Sequence, residues 1–127
     1  MIVLDASVLI AHLDSTDAHH GRATQLLIDA ADEPFGASPL TLAEVLVGPA
    51  RAGKVDIAQT AFRHLDVVTV PLVDTAPVRL ATMRANTGLR LPDCCVLVAA
   101  ETAGAALATF DERLAKAATA LGFEVHS

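Results

Sequence analysis

Apolar and polar residues alternate in blocks along this chain, and the blocks follow two different periods. Short runs of consecutive apolar residues, such as residues 2–4, are typical of strands buried on both faces of a sheet. In longer stretches, such as residues 18–31, apolar residues recur every three or four positions, which indicates helices that bury one face. Because a helical stretch separates each apolar run from the next, the pattern predicts parallel strands joined by right-handed crossovers.

Cap and turn residues define where the predicted elements begin and end. Ser38 before Pro39 is a favourable helix start, and Gly88 and Gly104 are favourable helix ends. We therefore expect an α/β fold with a central parallel sheet of four to five short strands and helices on both faces. The predicted strands are residues 1–5, 35–37, 67–70, 106–110 and 123–125, and the predicted helices are residues 7–13, 18–31, 38–48, 55–65, 75–87, 91–104 and 111–122.

Composition limits the fold to one domain and weakens one mode of nucleic-acid binding. The 127 residues, 53% of them hydrophobic, are enough for a single core, so we expect one domain over residues 1–127. With four Phe and no Trp or Tyr, binding of single strands by base stacking is not expected. The net charge of −6 also weighs against a nucleic-acid binder. That argument weakens if several of the acids bind metal.

Two features predict where the protein resides. Cys94 and Cys95 are adjacent, which disfavours a disulfide between them, and they are read as small apolar residues of a reduced protein. The chain begins directly with a predicted strand, so no signal peptide is expected, and no apolar run reaches the about 20 residues of a membrane span. We expect a soluble, cytoplasmic protein that does not bind a membrane.

Four acidic residues are the strongest candidates for chemistry. Asp5 and Asp111 follow apolar runs, so both should lie at the carboxyl edge of the parallel sheet, where such folds bind ligands. Asp93 begins a predicted helix, and Glu44 lies within one. Carboxylates that converge repel one another unless a hard cation such as Mg²⁺ or Mn²⁺ neutralises them. The set therefore indicates metal-assisted hydrolysis of a phosphodiester.

Each of these residues also has a purely structural interpretation. Asp5, Asp93 and Asp111 could simply cap the helices that follow them, and Glu44 could lie on a solvated face. Two neighbouring hydroxyl residues share the ambiguity. Ser7 could hydrogen-bond a metal-bound water or be an ordinary helix-start residue, and Thr109 could orient Asp111 or fill the strand.

Other common catalytic motifs are missing from the sequence. The five histidines show no metal-ligand spacing with a carboxylate or Cys. There is no glycine-rich phosphate loop, no GxGxxG and no GxSxG nucleophile motif. Cys94 has no evident His partner, so a catalytic thiol is not expected.

Four segments together resemble a known family: VLDASVLIAHL, SPLTLAEVLVGPAR, LRLPDCCVLVAAE and ALATFDERLAKAA. In order and spacing they are similar to PIN domain proteins, and within these to VapC-type toxins of bacterial toxin–antitoxin pairs. The resemblance spans essentially the whole chain. It implies a Mg²⁺- or Mn²⁺-dependent endoribonuclease that forms a homodimer and is silenced by a VapB-type antitoxin. It also implies that Asp5, Glu44, Asp93 and Asp111 hold the metal and activate water, with Ser7 and Thr109 as supporting polar groups.

Two other classes of function stay open at this point. A phosphotransfer receiver or phosphatase would use Asp5 as nucleophile, but its usual acidic partner two residues on is replaced by Ser7. A non-catalytic binding module would use the acids only as helix caps. Binding of Mn²⁺ would separate the metal-dependent enzyme from the binding module.

Overall fold

The computed structural model describes all residues from 1 to 127 and has one parallel sheet. Five strands form it in the order β3-β2-β1-β4-β5, and every neighbouring pair is parallel. This confirms the predicted α/β fold. Strand β2 has its predicted bounds, whereas the other four are shorter than predicted, with only two residues in β3 and in β5. Their bounds are β1 Ile2–Leu4, β2 Phe35–Ala37, β3 Val68–Thr69, β4 Ala106–Ala108 and β5 Val125–His126.

Seven helices connect the strands, and none of them is both long and apolar enough to cross a membrane. Gly88 and Gly104 both have a left-handed backbone and end their helices, as the sequence predicts. The helices are α1 Ala6–Leu13, α2 His20–Asp29, α3 Pro39–Arg51, α4 Val55–His64, α5 Ala76–Thr87, α6 Leu91–Ala103 and α7 Glu112–Ala120.

Helix α3 is longer than expected. The sequence predicts an end near Gly48 and Pro49, but the helix continues through Pro49 to Arg51. A proline removes one backbone donor yet keeps its carbonyl acceptor. Here the carbonyl of Pro49 accepts the backbone N–H of Lys54 at 2.8 Å. The helix can therefore close its last turn beyond the proline.

The hydrophobic core has two halves, one on each face of the sheet. Alternate residues of β1 point to opposite faces, so Ile2 and Leu4 join one cluster and Val3 joins the other. The first cluster includes side chains of α1, α2, α3 and α4, and the second includes side chains of α5, α6 and α7. All three side chains of β1 are fully buried. The central strand therefore has helices on both faces, as predicted.

Strand register determines what meets at the carboxyl edge of the sheet. Leu4 of β1 pairs with Ala108 of β4, and the N–H of Asp5 donates to the Ala108 carbonyl at 2.9 Å. The next residues on the two strands, Asp5 and Thr109, are therefore neighbours. Because β1 is the middle strand, Asp5 lies over the centre of the sheet.

Candidate active site

Asp5 is the most enclosed carboxylate at this edge of the sheet. Only 7% of the residue is exposed. One of its oxygens, Oδ2, accepts two hydrogen bonds, from Ser7 Oγ at 2.7 Å and from Thr109 Oγ1 at 2.7 Å. Asp5 precedes α1, but its side chain makes no capping hydrogen bond to that helix. The simple cap interpretation of Asp5 is therefore wrong.

The two hydroxyl groups have fixed directions. Ser7 Oγ accepts the backbone N–H of Phe110 at 3.0 Å, and Thr109 Oγ1 accepts the backbone N–H of Asp111 at 3.0 Å. Each hydroxyl therefore has its own proton free to donate to Asp5. Thr109 links the two strand-end acids, although it contacts the backbone of Asp111 and not its carboxylate. Both hydroxyls fix the orientation of the Asp5 carboxylate.

Asp111 has the structural role that the sequence also allowed. It is the N-cap of α7, and its Oδ1 accepts the backbone N–H groups of Arg113 at 2.9 Å and Leu114 at 3.2 Å. No hydrogen bond occupies its other oxygen. A cap that uses one oxygen leaves the second available, so the capping role and a ligand role are compatible.

Asp93 is held in the first turn of α6, where the N-cap is Arg90. Its carboxylate accepts no side-chain hydrogen bond in the structure. Burial raises the pKa of Asp93, and the negative charges of Asp111 and Asp5 raise this pKa further, while Arg90 and Arg113 oppose the shift. Asp93 is therefore near enough to both strand-end acids for their charges to affect its pKa.

Glu44 projects from α3 at the boundary with solvent. The residue as a whole is exposed. Even so, partial burial of its carboxylate raises the pKa of Glu44, and the charges of Asp5 and Asp93 add to the shift. The solvated-face interpretation is thus correct for the residue's exposure. It does not account for the influence of Asp5 and Asp93 on the carboxylate.

The donors suit a hard cation in their chemistry, although they do not surround one. All four are carboxylates, the oxygen ligands that Mg²⁺ and Mn²⁺ prefer. Burial raises the pKa of two of them, Glu44 and Asp93, and the charges of other acids at the site raise it further. However, no group of three or more His, Cys, Asp or Glu side chains is close enough to hold a metal ion. Binding an ion would require the side chains to draw together.

Several cationic and aromatic residues near the site were not anticipated. Arg90 and Arg113 lie close enough to the acids to oppose the rise in the pKa of Asp93. Phe110, between the two strand-end polar residues Thr109 and Asp111, has the Arg22 guanidinium 4.7 Å from its ring centre. The sequence contained one usable signal, since Arg90 and Arg113 each lie within three residues of a candidate acid.

Comparison with known proteins identifies the fold. The sequence profile of the PIN domain matches residues 2–120, which is most of the chain. This chain belongs to the PIN domain family. The resemblance seen in the four sequence segments is therefore confirmed. No curated protein sequence matches this chain closely enough to count as a relative.

Solved structures of toxins share the fold of this PIN domain. A toxin–antitoxin complex from Klebsiella pneumoniae matches with a TM-score of 0.76 and 21% identity, over 100% of this chain and 97% of that one. FitAcB from Neisseria gonorrhoeae matches with a TM-score of 0.75 and 20% identity, over 100% and 97%. The sarcin–ricin-loop-cleaving toxin VapC20 from Mycobacterium tuberculosis matches with a TM-score of 0.70 and 18% identity, over 97% and 96%. At these identities the likeness demonstrates a shared fold.

Proposed function

We propose that this PIN domain is a metal-dependent endoribonuclease and the toxin of a toxin–antitoxin pair. The observation that carries the proposal is the position of Asp5, which is buried at the carboxyl end of the central strand, with Asp111 following the neighbouring strand β4. The shared fold with VapC20, described as a sarcin–ricin-loop-cleaving toxin, supports RNA as the substrate. The receiver-type alternative has lost its basis, because the chain belongs to the PIN domain family.

We assign metal binding to the four carboxylates and a supporting role to the two hydroxyl groups. Asp5, Glu44, Asp93 and Asp111 would hold Mg²⁺, for which Mn²⁺ should substitute, and would help to activate water. Ser7 and Thr109 donate to one oxygen of Asp5 and so leave its other oxygen for the ion. A bound divalent cation would supply Lewis-acid activation of the phosphoryl oxygen and would make a nearby water easier to deprotonate.

Cleavage of RNA with purified protein tests the enzyme directly. We expect a structured RNA to be cut internally with Mg²⁺ or Mn²⁺, and to stay intact with EDTA. Asp93→Asn keeps the side-chain shape and removes a charge, so it should lose most activity. Glu33→Gln is a matched control, because Glu33 is exposed and lies outside the quartet. Cleavage that survives in EDTA, or in Asp93→Asn, rules out the proposed site.

We further propose that a small antitoxin silences the protein, which itself would form a homodimer. The support is that structural neighbours were crystallised as toxin–antitoxin complexes. An acidic site on a chain of net charge −6 suits a cationic side chain from the partner, above all Arg with its forked donors.

A growth assay tests the toxin role separately from the chemistry. Expression of the chain alone should slow bacterial growth, and co-expression of a small protein encoded beside it should restore growth. The Asp93→Asn variant should be harmless at equal soluble levels. Unchanged growth with soluble wild-type protein argues strongly against a toxin, even if the purified protein cuts RNA.

A further inference from the structure

A groove of about 460 Å³ lies between the end of α5 and the outer side of α7. Its polar lining consists of Arg113 and Lys116 of α7 and Asn86 and Thr87 of α5, over an apolar floor that includes Leu89. No carboxylate lines it. On a chain with 15 acidic and nine basic residues, such a surface is unusual.

The two cations of the groove are free to bind an anion. Arg113 and Lys116 are both exposed, and neither forms an ion pair, since the only such pairs in the structure are Arg79 with Glu101 and His126 with Glu124. Three positions apart on one helix, they lie on the same side, with about 5–6 Å between their Cβ atoms. Together they form a short row of positive charge.

Arg113 also connects this groove to the acidic site. Its backbone N–H donates to Asp111 Oδ1 at 2.9 Å, so Arg113 lies two residues beyond one of the four acids. Arg113 is therefore in the first turn of α7, beside Asp111, and Lys116 lies three residues farther along the helix. A ligand that leaves the site along α7 would meet the two cations in that order.

The larger clefts of the molecule have the opposite character. A cleft of about 620 Å³ is lined by Asp29, Asp32 and Glu33 as well as Arg22. Another, of about 480 Å³, contains Asp32, Glu33 and Asp66 and no Lys or Arg. The acids of these two clefts would repel a polyanion. The groove beside α7 has two cations and no carboxylate, so it suits a polyanion better.

We propose that the groove binds backbone phosphates of single-stranded RNA on one side of the bond to be cut. The proposal rests on the endoribonuclease function and identifies part of its substrate-binding surface. Arg113 would grip the phosphate nearest the acids with its forked donors, and Lys116 would pair with a neighbouring phosphate. The contacts go to the backbone, so this surface would add affinity without sequence preference.

The test measures binding of a fluorescein-labelled single-stranded RNA by anisotropy, with Mg²⁺ and in an Asp93→Asn background that blocks cleavage. Lys116→Glu is the informative change, because Lys116 is a full turn from the acids. We expect it to weaken binding about 5- to 10-fold and to reduce the slope of log K against log salt by about 0.7 for one lost phosphate contact. Lys116→Arg should bind like the parent. Lys54→Glu makes the same charge change on an exposed residue elsewhere and should stay within about twofold.

The outcomes separate this proposal from the function on which it rests. If wild-type protein cuts RNA but Lys116→Glu binds as tightly as Lys54→Glu, RNA binding by the groove is refuted and the endoribonuclease function is supported. If binding depends on Lys116 but no RNA is cut, RNA binding by the groove is supported and the endoribonuclease function is refuted. Absence of RNA binding in every variant refutes the groove. So does a loss of dimer mass in Lys116→Glu by light scattering, because the surface would then be an interface between copies.

Discussion

At the scale of single residues, the two hydroxyl groups on Asp5 decide how its carboxylate is presented. Each accepts a backbone N–H and donates its own proton to the same oxygen, Oδ2. The arrangement holds the carboxylate in one orientation. It also couples the loop after β4 to the end of β1, since Phe110 and Asp111 supply those backbone groups. Loss of either hydroxyl should therefore affect both the stability and the site.

The Thr109→Val variant tests this coupling. Valine has nearly the same shape but leaves the half-buried N–H of Asp111 unpaired and removes one donor from Asp5. We expect a loss of about 1–3 kcal/mol in the free energy of unfolding, measured by urea denaturation, and a clear loss of RNA cleavage. Thr109→Ser restores the hydroxyl and should recover most of both. Full activity in Thr109→Val would show that Thr109 only fills the strand.

The raised pKa of Asp93 gives a dependence of stability on pH. A carboxyl group whose pKa is higher in the folded than in the unfolded protein adds stability below its unfolded pKa and loses it as pH rises through the folded pKa. In EDTA, the wild type should therefore lose this contribution as pH rises from about 4. Asp93→Asn lacks the group, so its melting temperature should improve relative to wild type across this window. Thermal melts in a pH series measure the difference.

A control variant separates this effect from general acid denaturation. Asp32→Asn removes an exposed carboxylate outside the site, and its melting temperature should follow the wild type across the same pH series. A constant offset between Asp93→Asn and wild type would contradict the raised pKa of Asp93, which comes first from burial and then from the charges of Asp111 and Asp5. The site's acids would then interact too weakly to matter for folding.

Sequence reasoning at this scale succeeded where position along an element determines position in space. Asp5 and Asp111 follow strands, so the parallel sheet alone brings them to one edge. Arg113 and Phe110 could not be assigned in the same way, because their roles depend on how α7 and α2 pack against that edge. The spacing of apolar residues predicts that a helix forms, but it does not predict how closely that helix packs against its neighbours.

At the scale of elements, α6 carries Asp93 on a helix whose following turns are almost wholly buried. Residues 94–100 are all buried, including both cysteines. Burial raises the pKa of the Cys94 and Cys95 thiols, so the reactive thiolate form is scarce at neutral pH. The helix is thus a rigid core element that fixes the position of Asp93 in its first turn.

We predict that the cysteines have no catalytic role. A double Cys94→Ala, Cys95→Ala variant should keep RNA cleavage within a few-fold of wild type, and should lose about 1–3 kcal/mol of stability through lost packing. In the native wild type, Ellman's reagent should react with neither thiol, whereas both should react in guanidinium chloride. Rapid labelling of the native protein, or loss of cleavage with the fold intact by circular dichroism, would overturn this interpretation.

The elements themselves were predictable to different degrees. Caps and glycines located α5 and α6 well, because a left-handed backbone at Gly88 and Gly104 has a direct sequence signal. Four of the five strands are shorter than predicted, the central strands β1 and β4 as well as the edge strands β3 and β5. An apolar run does not show how many of its residues form ladder hydrogen bonds.

At the scale of the whole molecule, the distribution of charge matters more than its sum. The net charge of −6 made RNA binding seem unfavourable. In the structure, Arg90 and Arg113 are near the acidic site, and Lys116 lies in the adjoining groove. The two larger clefts contain several of the other acids. A bound divalent cation would reduce the negative charge at the site itself and let these cations act on a polyanion.

That neutralisation should be visible as a change in global stability. A cation that binds only the folded state at 100 times its dissociation constant adds about 2.7 kcal/mol. For a domain of this size the melting temperature should rise by roughly 7–15 °C. Asp5→Asn removes one ligand and one repelling charge while its remaining oxygen can still accept from Ser7 and Thr109, so it should melt higher than wild type in EDTA and gain less from Mn²⁺. Glu33→Gln should gain as much as wild type. If Mn²⁺ shifts no protein, or Asp5→Asn simply melts lower in EDTA, the carboxylates at this edge are structural and the metal site is refuted.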